Sequence, residues 1–557
     1  MRIYLLIISL LSCSVVFGQL STREKPMSFS RTDIPALETN NMEARSFAQL
    51  DMERIMQEDI ENEKLGMPPR FGYKHRVNYN LENSGEWLVL PDGGRLWRLA
   101  VSSPGALSIN LLYDKFWIPD GAKFWIYSYN QRQSIGAFTS ENNRGTREAP
   151  DKFATGLVFS DQIVLEYYLP KGASEIGSIS IVYVVHGYRH IPFSENRFWE
   201  QPLPCHININ CSFGLDWQAE KNAVALILRR NDWCTGFLIN NTAGDGRPFF
   251  MTAYHCLREE GGYVDIYDTN FGHWSFIWHY EMPCYEYVFP SFLPTLSGAT
   301  LIAGNPISDF ALLLLNEDPR SPNSGIIPYY LGWCRNTVNP GIGGGVAIHH
   351  PGGYVKKISR AEQVQSYPNS LHLGGPLVTR SHALWQVDFV EGTTEGGSSG
   401  SPFLNHNRRV IGQLVGGPGQ CPDPANPTSI KFYGKFGVAW TGSVYPEPPA
   451  TDPRRRLNYW LDPLDTDVME LSSFSSCVSN FVNRTVYTNL TVTGCFYMHA
   501  RNIIVARGAT LTLIADDNIY ISNITIAENS RLILSAGSEV VFDGYLDVHL
   551  GAEFEMR

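Results

Sequence analysis

Gly396-Gly397-Ser398-Ser399-Gly400-Ser401-Pro402 is a glycine-rich turn that offers serines, and how it is read decides the fold. Alone, a Gly/Ser tract is most often a flexible loop. Two upstream stretches change its weight. Phe249-Phe250-Met251-Thr252-Ala253-Tyr254-His255-Cys256 sets a histidine beside a cysteine at the end of an apolar strand. Ser308-Asp309-Phe310-Ala311-Leu312-Leu313-Leu314-Leu315 sets one acid at the head of a continuous buried strand. Each also has a bland explanation, a packed histidine or an acid in a turn.

Their joint occurrence in the order His, Asp, Ser is much harder to reach by accident. It is the order of the double-β-barrel serine proteases, one of three unrelated orders the triad uses. Ser399 is then the nucleophile, a poor one until a base takes its proton. His255 is that base, and afterwards the acid toward the leaving amine. Asp309 holds the imidazole tautomer and stabilises the cation that forms. Gly397 leaves its backbone free to turn an N–H inward, and with the Ser399 N–H it forms the expected oxyanion hole. The same turn also satisfies G-x-S-x-G with Ser398 at its centre. That pattern needs a strand–turn–helix and the order Ser, acid, His, whereas only His406, His499 and His549 lie downstream and no helix follows Pro402. Ser398 is therefore rejected as the nucleophile.

Outward from this centre, the chain has 557 residues, too many for one hydrophobic core and enough for about three domains. Only 18% are charged and 12% are aromatic, which excludes a mostly disordered chain. The net charge of −11 argues against a dedicated nucleic-acid binder. Residues 1–18 read as a signal peptide: Arg2 gives a positive start, Ile3 to Phe17 an apolar run, and Gln19 follows a cleavage-like junction. A lipoprotein box with Cys13 lipidated is the lesser alternative, and no later run reaches the length of a membrane span. Secretion is thus expected, with cell-surface association a further option.

Residues 19–200 divide into a helical segment over 42–65 and short alternating strands over 70–190, which read as a β-sandwich. Residues 201–470 are again short strands with long Gly/Pro loops. Residues 471–557 repeat short strands at intervals of roughly ten residues, as a small β-solenoid does. The fold class expected is mainly β: a chymotrypsin-like double β-barrel preceded by the sandwich and followed by the solenoid. Of ten cysteines, five (Cys205, Cys211, Cys234, Cys256, Cys284) crowd one stretch of an exported chain, so disulfides are expected there. No Cys-x2-Cys pair occurs, which discounts zinc, and neither metal nor cofactor is expected.

Residues 201 to 470 resemble the bacterial lysyl endopeptidases, a trypsin-like family. The resemblance rests on Cys205-His206-Ile207-Asn208-Ile209-Asn210-Cys211, Trp233-Cys234-Thr235-Gly236-Phe237-Leu238, Ala347-Ile348-His349-His350-Pro351, Thr394-Glu395-Gly396-Gly397-Ser398-Ser399-Gly400-Ser401-Pro402, Gly412-Gln413-Leu414-Val415-Gly416-Gly417-Pro418 and Trp460-Leu461-Asp462-Pro463. It implies the triad His255, Asp309 and Ser399, and disulfides Cys205–Cys421, Cys211–Cys284 and Cys234–Cys256. It also implies that 19–200 is a propeptide acting as inhibitor or chaperone, and that His349-His350 is structural rather than metal-binding. A bridge Cys477–Cys495 is expected in the tail, leaving Cys334 unassigned.

The departures fall in the specificity pocket, for which Val415, Gly416, Lys431 and Gly434 are the candidates. Lysine-specific members carry an acid two positions before a Tyr-Gly pair. Here Tyr433-Gly434 is preceded by Lys431-Phe432, and Val415 stands where those members have histidine. A buried lysine would penalise a lysine P1 residue by like-charge repulsion. The expectation is an acidic P1 residue, or a neutral one if Lys431 swings out; an outward-pointing Lys431 is the equal alternative. Glu200-Gln201 is a candidate self-activation junction, with Arg197 as another. Expected partners are protein or peptide substrates and the chain's own propeptide, with no nucleic acid and no membrane span. The rival readings are a non-catalytic adhesin-like protein on a protease scaffold and an esterase using the same triad. The extended Gln413-Leu414-Val415-Gly416 segment, suited to pairing with a peptide strand, favours the protease.

Overall fold

The computed structural model describes residues 24–30, 42–65, 67–189, 203–258, 264, 269–284, 293–321, 324–338, 343–374, 377–418, 420–475, 480–494, 497–515, 518–537 and 539–557. The signal segment, both activation junctions and Cys477 and Cys495 lie outside them.

Alternation along Arg95–Ser102 and Ser108–Trp117 builds the first module. Trp97, Leu99 and Val101 point one way from their strand, and Ile109, Leu111 and Tyr113 meet them from another sheet in one buried core. One sheet orders Ala44–Ser46, Arg95–Ser102, Gln162–Leu169, Lys123–Ser128 and Ser134–Phe138; the other orders Gly72–Asn80, Ser178–Gly187, Ser108–Trp117 and Phe153–Ala154. The expected helix over 42–65 is shorter than the apolar spacing suggested. Ala44–Ser46 is a strand running parallel to Ala100–Ser102, and Phe47 stacks on His75 with ring centroids 4.0 Å apart. The helix occupies Met52–Lys64, where the Asp51 side chain caps its N-terminus by accepting from the Arg54 N–H.

A seven-stranded sheet follows in the order Thr295–Ser297, Trp274–Ile277, Val224–Arg229, Asp232–Leu238, Phe249–Ala253, Phe310–Leu315 and Ala299–Asn305. Its two end strands are consecutive in the chain, joined only through Gly298 at φ +74°, so the sheet is rolled up on itself. The second sheet runs Pro402–Asn405, Gly345–His349, Lys357–Tyr367, Leu384–Glu391, Ser429–Lys435 and Val410–Gly416. Pro402–Asn405 pairs again with Val410–Gly416 and closes the ring. These are the two β-barrels, with His255 and Asp309 on the first and the Ser399 turn entering the second.

The last stretch is a parallel solenoid of two strands per coil. Leu511 pairs with Leu532 and Tyr497 with Asn518, and Leu511, Leu513, Ile519, Ile521, Leu532 and Leu534 fill its interior. Asn502 donates to Asn483 Oδ1 at 2.8 Å and Asn523 to Asn502 Oδ1 at 3.1 Å, a side-chain ladder up the turns.

The first module docks on the first barrel. Arg144 Nη2 donates to the Asn316 carbonyl at 2.8 Å, and His273 Nε2 to the Tyr113 carbonyl at 2.9 Å. Asn142 Nδ2 donates to Glu317 Oε1 at 3.1 Å. Burial pushes the Glu317 carboxyl up to about 7, against the Ser297 N–H, Arg144 and Asn142, which favour its charge. Between the ordinary carboxylate range and about 7, the folded chain therefore keeps a proton that the unfolded chain gives up. Stability should fall as pH rises through that window and level off above it. Thermal unfolding of the full chain against pH is expected to show this slope in the wild type. In Glu317→Gln it should be flatter by about one proton; an unchanged slope would count against the assignment.

Candidate active site

Asp309 begins the strand Phe310–Leu315 from a turn in which its own N–H donates to the Pro306 carbonyl at 3.2 Å. Its φ is +58°, a left-handed conformation that aspartate tolerates better than most residues. The carboxylate is fully buried. Oδ1 accepts the His255 backbone N–H at 2.8 Å and Oδ2 lies 2.7 Å from His255 Nδ1. This two-point grip fixes the ring and assigns the Nδ1 proton to the aspartate side, leaving Nε2 as the basic nitrogen. The turn lies close to the second barrel: Gln413 Nε2 donates to the Ser308 carbonyl at 2.7 Å. A Cβ on Gly434 would fall 1.9 Å from that same oxygen, so Gly434 sits against the Asp309 turn.

Ser399 is brought to His255 through a disulfide and one strand. Cys256, next to His255, is bonded to Cys234, next to Thr235. The Thr235 N–H donates to the Ser399 carbonyl at 2.9 Å. Thr235 also supports the turn through its hydroxyl, which donates to the Gly397 carbonyl at 2.8 Å and accepts the His350 N–H at 3.2 Å. The sequence around Thr235 carries no sign of this role, because nothing local signals a hydroxyl that acts on a turn so far along the chain. The Ser398 N–H is taken by the Glu395 carbonyl and the Gly400 N–H by the Leu414 carbonyl. Among the described residues, the N–H groups of Gly397 and Ser399 donate to no protein acceptor.

Ser398 is fully buried and its hydroxyl is engaged by His349 rather than by His255. The direction of a hydrogen-bond chain behind the turn can be assigned from its last member backward. Ser359 Oγ donates to the Thr393 carbonyl at 2.8 Å, so it accepts from His349 Nε2 at 3.1 Å. His349 Nδ1 then accepts the Ser398 hydroxyl at 2.8 Å. Burial holds His349 well below the ordinary histidine range, and His350 is pushed down to about 3 by burial and by Lys356. Both rings are neutral supports behind the turn. Among the described residues no cluster of three His, Cys or acid side chains is placed to hold a metal.

Lys431 points inward and is fully buried. Its ammonium donates to the Pro418 carbonyl, and its stem lies where a Cβ on Gly417 would be 3.0 Å from Cδ. Burial pushes it down to about 8, with Glu395 opposing. Phe432 and Tyr433, its neighbours, pair with Gly416 and Leu414, which sets Lys431 against Gly417, one residue past Gly416 on the adjoining strand. Glu395 also binds the segment just past the candidate junctions. Its Oε1 accepts the Leu203 N–H at 2.9 Å and lies 3.3 Å from His206 Nε2. Burial raises the Glu395 carboxyl, but His206, the Leu203 N–H and Lys431 together hold it below its ordinary value. No motif announced this cluster.

Among the described residues three disulfides form: Cys205–Cys421, Cys211–Cys284 and Cys234–Cys256. Cys334 is a buried free thiol. Residues 201–434 match the family model of the lysyl endopeptidase C-terminal domain. This segment is a lysyl endopeptidase-like serine endopeptidase. The lysyl endopeptidase of Pseudomonas aeruginosa is 24% identical over 374 residues, covering 63% of this chain and 75% of that protein. Among solved structures, the active form of the Rv3671c protease from M. tuberculosis is similar at TM-score 0.27 and 18% identity, covering 47% of this chain and 98% of that one. A Glu endopeptidase in complex with MPD is similar at TM-score 0.23 and 18% identity, covering 39% and 86%. The disulfides of the lysyl endopeptidase-like segment fit an extracellular protein, and among the described residues no helix is long and apolar enough to cross a membrane.

Proposed function

We propose that the chain is a secreted zymogen whose lysyl endopeptidase-like segment hydrolyses peptide bonds through His255, Asp309 and Ser399. The observation that carries this reading is the two-point grip of Asp309 on His255 beside a turn whose Gly397 and Ser399 N–H groups have no protein acceptor. His255 Nε2 takes the Ser399 proton as Oγ adds to the scissile carbonyl, and the oxyanion is received by those two N–H groups. The same imidazolium returns the proton to the leaving amine, giving an acyl-enzyme. Water then attacks that ester with the same base, releasing the acid and restoring Ser399. A small alkyl fluorophosphonate should phosphonylate one serine, mapped to Ser399 by mass spectrometry. A protein that neither labels nor cleaves casein after removal of residues 19–200 would defeat the reading.

For P1, the reading favours an acidic side chain. Lys431 uses one of its three donors on Pro418 and has others for a carboxylate, while Glu395 is engaged by Leu203 and His206. Because Lys431 titrates near 8, it is cationic below that pH. Cleavage after an acidic residue should therefore decline as pH rises through about 8, while cleavage after a neutral residue does not. Lys431→Met should remove both the preference and the pH effect, lowering kcat/KM for the acidic substrate by about 10–100-fold. Dominant cleavage after Lys in a peptide library would sink the acidic reading.

A further inference from the structure

The stretch Leu65-Gly66-Met67-Pro68-Pro69-Arg70-Phe71 reads as a linker between the helix and the first sandwich strand, but its described residues lie across the site. Trp233 and Thr235 are two apart on one strand, so their N–H groups project from the same edge. The Thr235 N–H reaches the Ser399 carbonyl at 2.9 Å and the Trp233 N–H reaches the Pro69 carbonyl at 3.2 Å. Arg70 forms an antiparallel bridge with Asp232, and the Phe71 N–H donates to the Asn231 carbonyl at 2.8 Å. The Pro69 ring covers the nucleophile turn: a Cβ on Gly396 would lie 3.1 Å from Pro69 Cγ. At the other end, the Leu65 carbonyl accepts from Arg258, three residues past His255, at 3.4 Å.

On the hydrolase reading, the acyl side of a substrate pairs along the extended strand end Leu414–Gly416. A peptide continuing past Ser399 must therefore leave over the edge of Asp232–Thr235, and that edge is already filled by a β-bridged proline segment. One buried carboxylate clamps the segment. Asp59 accepts from Arg70 Nε at 2.5 Å, from the Tyr188 hydroxyl at 2.7 Å and from Arg189 Nη2 at 3.2 Å. It thereby joins the helix, the strap and the last described residues before the candidate junctions.

We infer that Leu65 and residues 67–71 act as a cis-acting strap on the leaving-group side of the cleft, held there by Asp59. This rests on the hydrolase reading above and adds where and how the first module blocks it. The strap excludes peptides that extend beyond the scissile bond but leaves Ser399 open to small acylating reagents. It also precedes the candidate junctions in the chain. Cutting there does not remove it; the whole module must undock.

The test uses the intact chain, verified by mass, beside Pro69→Asp and Asp59→Asn. Pro69→Asp replaces the ring against Gly396, and Asp59→Asn weakens the clamp from within the module. Each is measured for phosphonylation rate with a small alkyl fluorophosphonate and for cleavage of a peptide with three residues beyond the scissile bond. The expected result is equal phosphonylation in all three proteins. Peptide kcat/KM should be at least about tenfold higher in the variants, since only the strap-free fraction accepts the peptide. Equal peptide-to-probe ratios in the intact chain and in Pro69→Asp would overturn the strap. Failure of all three proteins to phosphonylate at Ser399 would instead overturn the hydrolase reading on which it rests.

Discussion

Asp309→Asn is expected to lower kcat by about 10⁴-fold with little change in KM. The reason lies in how both carboxylate oxygens are used: Oδ1 accepts the His255 backbone N–H and Oδ2 faces His255 Nδ1. An asparagine has only one acceptor to offer. If its oxygen keeps the backbone N–H, its NH₂ points at Nδ1, which must then accept. The ring proton moves to Nε2, and the base toward Ser399 is lost. If the amide flips, the NH₂ meets the backbone N–H donor to donor, and a buried bond is broken at the residue that positions the ring. Either orientation spoils catalysis while Leu414–Gly416, the proposed substrate edge, is untouched. Steady-state kinetics on an optimal peptide, with an intact-mass check that the three disulfides have formed, measure this. A kcat within tenfold of wild type would remove Asp309 from the machinery.

The barrels were legible because the apolar runs that fill them are local. Phe310–Leu315 is a continuous apolar run and Phe249–Ala253 is apolar but for Thr252, and they prove to be neighbouring strands with Ala253 opposite Phe310. That single pairing brings His255 to Asp309, so the motif order and the topology rest on the same residues. The solenoid was legible as spaced strands, but only the structure shows that two strands make one coil, as the Asn483, Asn502 and Asn523 ladder marks. What could not be read depends on distant partners. Asp59 and Tyr188 lie 129 residues apart, and neither belongs to a pattern, so their hydrogen bond leaves no trace in the sequence. Pro68-Pro69 looks like a spacer for the same reason; only the edge of Trp233 gives it a role. The helix was overread because Phe47 and Leu50 keep a helical spacing by chance, while Phe47 serves a stack on His75. Lys431 was ambiguous because a strand residue points in or out by register. Pairing of Val387 with Lys431 settles that it points in.

Gly397→Ala should cost about 10²–10³ in turnover, with loss of stability as well. Gly397 holds φ +92°, where an L-residue is strained whatever the space around it. An added Cβ would also meet Trp233 Cδ1 at 3.0 Å, and Gly353 N and His350 O at 3.1 Å. Two of these three are backbone atoms, and the Trp233 ring is stacked on Phe71, so none of them yields easily. The relaxation open to alanine is rotation of its own peptide toward negative φ, which swings the N–H away from the oxyanion. The effect should appear in kcat, because the donor matters most when charge develops on the carbonyl oxygen. The His255–Asp309 hydrogen bonds do not involve Gly397, so the pH dependence of kcat/KM should stay as in the wild type. Asp309→Asn, by contrast, should distort that profile. Measuring both variants across pH separates a lost oxyanion donor from a lost base. A Gly397→Ala enzyme with wild-type kcat would show that the oxyanion is received elsewhere.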